Sequence, residues 1–553
     1  MRKEAPTITQ ILSYKDIYGE SLSINRLELV KSIPKKALIA EIAALNYRLK
    51  SSTESRFKFD IQSQFNELKF LCGKNEDFYK QMEKRVAKAA FKLKEKGHKF
   101  NIFSRASNLL ALQEIIQYGS DLPIQDFKMS LDDWKNLLQY YFEINTLTGK
   151  YINQKSEYTE NENFAANQVF ANELNILLNP LLIFNRFATW VNELEKKFEY
   201  SKFLANTFNP MGFSPDVFLT HIFSILIERK NPQGLDCYFQ LTDDISIEKR
   251  RLFEELSKRT LADKIHDFDI SEIRKGPIYQ IDENKFILLD NMFLIEKCYE
   301  SFIKDFFDKY LSNEESIRYD TYRGNFGNFF EEYVSQIVKR SFKKRKFWVK
   351  KYLDDLKIKK ELRKEVEVAD IYIRDNKKVF ITQIKSNGLR NEQFSGDVTK
   401  LFTGQEGNKN NFLYKNFGLY QLIKSLEFLR DDYQKFDDKF PKNKQIDIYP
   451  ALIVNEKMFH TPLFPQIFQE KFEKILNRDE FPDFIIRKLT IFHVEDLERL
   501  EHSLSLNKID FWKLLREHHK KTTIVKPFYL TLDNKKINAP LNLEFQKYLN
   551  IVE

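Results

Sequence analysis

Glycine and proline are both scarce, 15 of each in 553 residues, which excludes a collagen-like or linker-dominated chain. Only three cysteines occur, Cys72, Cys237 and Cys298. They lie far apart with no CxxC pair or Cys/His cluster, so neither a disulfide framework nor a zinc knuckle is expected, and small buried thiols are. The eight histidines, including the adjacent His518-His519, fall in no metal-ligand spacing. No apolar run approaches the roughly 18 to 20 residues of a membrane span, and the start Met1-Arg2-Lys3-Glu4-Ala5-Pro6 leads into no signal-peptide core. The expectation is a soluble, cytoplasmic protein with no membrane partner. Charge of one sign is also lacking: 89 Lys and Arg face 80 Asp and Glu, a formal +9. The total alone is too modest to identify a partner.

What is present is a chain built to fold, 42% hydrophobic, 31% charged and 14% aromatic. Its length calls for two or more cores. The first half reads as successive helices. Ser130 with Asp133, ahead of Trp134, Leu137, Leu138 and Tyr141, has the form of a capping box before apolar residues at helical spacing. Ser214-Pro215-Asp216 opens another helix, which Asn231-Pro232-Gln233-Gly234 stops. The polar run from Asn153 to Asn163 is read as a loop. Near residue 277 the period changes, with short strands over Pro277 to Ile281 and Lys285 to Leu289 joined by Asp282-Glu283-Asn284. A helix over Met292 to Tyr310 follows, and the pair in Gly324-Asn325-Phe326-Gly327 is expected to break the chain before the next element.

Beyond that point the pattern is helix (Phe329 to Arg340), strands (Val366 to Arg374, Lys378 to Lys385), helix (Phe417 to Leu429) and strands (Ile446 to Val454, Phe484 to Phe492). The predicted architecture is therefore α+β and multidomain. A mainly helical region covers 1–315; beside a catalytic domain it would sense, regulate or bind a partner, and nothing in its residues says which. An α/β domain with a central mixed sheet covers 316–505, and an accessory tail covers 506–553. Between Ser316 and Phe440 there are 27 Lys/Arg against 18 Asp/Glu, an excess equal to that of the whole chain. Half of those cations crowd into Lys339 to Lys364, 13 against three acids, with Phe342, Phe347, Trp348 and Tyr352 interleaved. Such a stretch suits phosphate attraction and base stacking, against the alternative of a solvated face.

Three places in this domain combine acids with a lysine. Glu331 borders the apolar stripe Phe330, Val334 and Ile337, with Glu332 its rival for the inward role. Asp370 interrupts the apolar run Val366 to Ile373. Gln383 and Lys385 share one face of Val379 to Lys385, and Ile384 takes the other. A carboxylate and a lysine in a buried sheet cost several kcal/mol unless paired or bound to a metal. Converging oxygens of this kind suit Mg²⁺ at a scissile phosphate, with the lysine stabilising developing charge. Glu365 and Glu367 are candidates for a further ligand, and Gln421 is close enough in pattern to be considered.

At these residues the chain resembles the PD-(D/E)xK, or restriction endonuclease-like, superfamily. The likeness lies in Gly327, Phe330, Glu331 and Val334 on the helix, then Asp370, then Gln383-Ile384-Lys385, and extends over about Ser316 to Ser505. The resemblance implies a Mg²⁺-dependent (or Mn²⁺-dependent) nuclease acting on DNA, as in bacterial restriction or anti-phage defence. Asp370 would be the principal metal ligand, with Glu331, Gln383 and the Ile384 carbonyl completing the shell, and Lys385 the catalytic lysine. Gln383 departs from the namesake acid and adds no charge, which keeps open a nucleic-acid-binding protein that retains the fold without cleavage. An RNA nuclease is equally compatible with these residues. A homodimer and a defence-system partner protein are further expectations of the same resemblance.

Overall fold

The computed structural model describes residues 9–49, 60–95, 97–152, 179–209, 212, 214–227, 237–242, 245–259, 270–314, 317–342, 351–359, 365–388, 412–441, 444–520 and 524–538. The expected loop at Asn153 to Asn163, the stop at Asn231 to Gly234, and Phe347 and Trp348 of the basic run lie outside these residues.

Helices dominate the first half. Arg105–Tyr118 is buried on nearly every side and packs between Lys35–Arg48 and Leu131–Ile152. The Ser130 box forms as expected: Ser130 Oγ accepts from the Asp133 N–H at 3.2 Å, and the Asp133 carboxylate accepts from the Ser130 N–H at 2.9 Å. The expected hairpin also forms, as Ile278–Asp282 against Lys285–Leu288, and a third strand, Tyr238–Gln240, adds to its edge. The stretch expected as one helix over Met292 to Tyr310 is instead divided into Asn291–Glu296, Glu300–Phe306 and a π turn at Phe307–Leu311. The division falls at Tyr299, whose φ of −145° and ψ of −72° are not helical. That ring is fully buried beneath the Arg186 guanidinium, 5.0 Å from its centroid.

The second half opens with a long helix, α1 (Tyr319–Phe342). It runs straight through Gly324 and Gly327, so the expected break does not occur. A mid-helix glycine costs about 1 kcal/mol, whereas burying each large aromatic side chain is worth roughly 2 to 3. Tyr322, Phe326 and Phe329 all pack on Trp190, with centroids 6.2, 5.3 and 4.8 Å away. Burial wins.

After α1 come strands β1 (Lys351–Lys359), β2 (Glu365–Asp375) and β3 (Lys378–Lys385), helix α2 (Leu419–Asp432), strand β4 (Ile446–Val454) and helix α3 (Phe464–Ile475). Strands β5 (Phe484–Ile486) and β6 (Thr490–His493) lead into helices α4 (Val494–Ser505) and α5 (Phe511–His519). The sheet is mixed and six-stranded. β1, β2 and β3 are antiparallel neighbours, β4 lies parallel to β3, and both β5 and β6 lie parallel to β4. β1 emerges from the basic run, where alternation had not marked a strand. The single strand expected over Phe484 to Phe492 is two, because β5 pairs with Ile446 to Ile448 and β6 with Ala451 to Val454. Pro450 falls in the gap between them, and it has no N–H to give a ladder. α1 and α5 cover one face, where Phe511 meets both Phe342 and Phe380 at 5.2 Å. α2 covers the other, over Gln383.

The two halves meet through buried charge. Arg186, on the helix Pro180–Lys196, is fully buried and lies 3.3 Å from Glu498 of α4, whose other contact is the Tyr333 hydroxyl of α1, donating at 2.7 Å. Lys457 Nζ similarly reaches Glu296 at 2.5 Å and Glu300 at 3.5 Å. Burial pushes the Glu498 carboxyl up to about 7 despite the guanidinium beside it. Its folded pKa thus exceeds the unfolded one, about 4.3, so its contribution is complete below that value and is lost as pH rises through about 7. Glu498→Gln cannot ionise, and its stability relative to wild type is expected to improve by at most roughly 3 kcal/mol as pH rises from about 5 to about 7. Urea midpoints of the two proteins across that window measure this, and a flat difference would refute it.

Candidate active site at the open end of the sheet

β2 and β3 pair in register from Asp375 and Lys378 up to Ile371 and Thr382. At the next position Asp370 turns its side chain inward, and its Oδ2 accepts the Ile384 N–H at 2.5 Å. The carboxylate substitutes for a backbone acceptor, so its orientation is fixed by the neighbouring strand. Alternation places Asp370, Tyr372, Gln383 and Lys385 on the α2 face. Tyr372 and Arg374 of the same row are tied to the buried Asp437, the tyrosine hydroxyl donating at 2.7 Å.

Glu367 is three residues from Asp370 and in a regular strand would point the other way. The register between β1 and β2 slips by one, however, between the Leu356–Ala369 and Lys357–Glu367 pairs, so Val368 is the extra residue of a bulge. The bulge brings Glu367, opposite Lys357, onto the Asp370 face. Asp370 is 7% exposed, and its carboxyl is held well above the usual range. Burial is the largest cause, followed by a hydrogen bond with Glu367, with Glu331 adding to the rise and Lys385 and the Ile384 N–H opposing it.

Glu331, exposed on α1, reaches the same place with its carboxyl partly desolvated there, and is also raised, first by that desolvation and then by Glu367 and Asp355, against Lys385 and Lys357. Glu332 turns away, accepting from Gln336 one turn on. Lys385 projects beside the left-handed Gly418 (φ 77°), where an added Cβ would stand 2.8 Å from Lys385 Cε. A side chain here would be strained in its backbone and would push the lysine aside. Gln383 is 2% exposed; its Nε2 donates to Ser425 Oγ of α2 at 3.1 Å, while its Oε1 is buried with no partner.

The four expected side chains, Glu331, Asp370, Gln383 and Lys385, are therefore brought to one end of the sheet. No family model, curated protein or solved structure matches the chain. Among the described residues, no three His, Cys, Asp or Glu side chains are arranged to hold a metal ion. An oxygen set of Asp370, Glu331 and Gln383 Oε1 nevertheless fits a hard divalent cation in its chemistry. The orphaned Oε1 lacks a donor, and like-charged carboxyls raise one another.

Gln421 is exposed on α2, and only its backbone carbonyl takes part, accepting from Ser425. Glu365 opens β2, its backbone in register with Lys359 of β1. The adjacent pair serves the core: His518 bonds Thr531 at 2.8 Å and His519 bonds Thr490 at 2.9 Å. All three cysteines are buried. Among the described residues no helix is long and apolar enough to cross a membrane.

Ser425 and Gly418 are not among the residues expected from the sequence, and Glu367 is expected only as one of two candidates for a further ligand. Ser425 had a signal, a small polar residue in the apolar row Leu422, Leu426 and Leu429 of α2. Glu367 had none, because its direction depends on a bulge.

Proposed function

We propose that this chain is a divalent-metal-dependent nuclease of restriction endonuclease-like type, hydrolysing DNA phosphodiester bonds at the Asp370 cluster. The observation that carries the reading is a carboxylate and an amide oxygen, both buried on a sheet face, meeting a second acid from a separate helix and a lysine. Bound Mg²⁺ or Mn²⁺ would supply charge to the scissile phosphate and acidify a water. Asp370, Glu331, Gln383 Oε1 and the Ile384 carbonyl are the oxygens for it. The Ile384 N–H holds Asp370 in place, and Lys385 Nζ is the cation for charge that develops on phosphate oxygens. A setting in restriction or anti-phage defence, with a homodimer or a partner protein on the helical half, belongs to the same proposal.

Wild type is expected to cleave plasmid, linear or single-stranded DNA only with Mg²⁺ or Mn²⁺. Lys385→Ala is expected to lose about 100-fold or more, the cost of removing one charge-stabilising group. Unchanged cleavage in Lys385→Ala would remove the assignment. RNA run in parallel decides the sugar. One observation favours a second reading, a nucleic-acid-binding protein without cleavage: the amide of Gln383 stands where an acid would add charge. Mobility-shift binding without cleavage under any metal would select it.

A further inference from the structure

Gln383 poses a question of direction. A primary amide has an acceptor end and a donor end of nearly equal size, and only the acceptor can face a cation. Beside Glu331, Glu367 and Asp370 the NH₂ end would be the more favourable neighbour in the metal-free protein, since it would donate to carboxylates and exclude a cation. The structure instead ties Nε2 to Ser425 Oγ at 3.1 Å, away from any carboxylate, and leaves Oε1 buried and unpartnered.

The cause lies one helical turn away. Ser425 Oγ donates its single proton to the Gln421 carbonyl at 2.9 Å, so towards Gln383 it offers only a lone pair. An amide carbonyl turned to it would meet lone pair with lone pair, or would take the proton from Gln421. Ser425 is itself fully buried, and water cannot replace it as acceptor. Asp370, by contrast, needs no such device, because both its oxygens accept.

We infer that Ser425 is a positioning residue that sets the polarity of the Gln383 amide, turning its carbonyl oxygen to the acid cluster and so enabling the site to take a divalent cation. This rests on the nuclease reading of the same site and identifies how a neutral amide is made to serve where a carboxylate would serve unaided.

Mn²⁺ titration by calorimetry on the full chain tests it, in a cycle of Ser425→Ala with Gln383→Glu. Ser425→Ala alone is expected to weaken Mn²⁺ binding about 10-fold, in the range found for residues that orient a ligand. In the Gln383→Glu background the same change is expected to cost less than about 2-fold, because the two oxygens of a carboxylate are equivalent and leave no direction to choose. An equal loss in both backgrounds, or no loss in either, overturns the inference and leaves the metal site standing. A folded wild type that takes up no Mn²⁺ overturns both. Should Ser425→Ala not fold, Ser425→Cys, of similar shape but a poor acceptor, is judged by the same two comparisons.

Discussion

Asp370→Asn is expected to reduce metal-dependent cleavage by at least about 100-fold and, in the same protein without metal, to raise the thermal midpoint. The first effect follows from removing the charged ligand, since residues that merely orient ligands already cost 10- to 100-fold. The second follows from the company Asp370 keeps. Its carboxyl is buried and raised well above the usual range by burial, by Glu367 and by Glu331. A carboxyl raised in the folded state contributes stability below its unfolded pKa and loses it as pH rises through the folded value. Asparagine keeps the acceptor for the Ile384 N–H and sheds the charge, so the gain should grow as pH rises above the ordinary carboxyl value, about 4, and vanish in more acidic solution. Thermal midpoints with and without Mg²⁺ across that range measure both effects. A variant less stable than wild type at every pH would mark Asp370 as a structural acid.

Arg186→Met is expected to cost about 3 to 5 kcal/mol, the usual price of leaving a buried ion without its partner. Glu498 would keep the Tyr333 hydroxyl but lose the guanidinium at 3.3 Å, and Glu495, also raised by burial and opposed by Arg186, would lose it too. A chain of this size need not unfold in one step, so limited proteolysis at the junction and the first urea transition are the measurements. Adding Glu498→Gln should recover part of the loss by removing the orphaned charge. A single variant no weaker than an exposed Lys→Met control would show that the junction does not depend on this pair.

The convergence of the candidate residues was legible because each sits where an ordinary period can be read: Asp370 in an apolar strand, Gln383 and Lys385 two apart, Glu331 on the margin of a helical stripe. What escaped depends on partners distant in sequence. Lys351–Lys359 looks like a solvated basic run until β2 pairs with it. The split between β5 and β6 is dictated by Pro450, more than 30 residues earlier in the chain. α1 ignores its two glycines because Trp190 supplies a surface to cover, and no local propensity encodes that. Ser425 matters through a proton it gives to Gln421.

The aromatic seam of α1 has an evolutionary consequence. The helix that bears Glu331 also buries Tyr322, Phe326 and Phe329 against Trp190, and Tyr322 against Tyr200 at 5.9 Å. Recombination could not graft the sheet onto an unrelated upstream region unless the graft brought matching sockets for those rings. The two halves are thus bound to change together, as one lineage of paired surfaces and not as interchangeable cassettes.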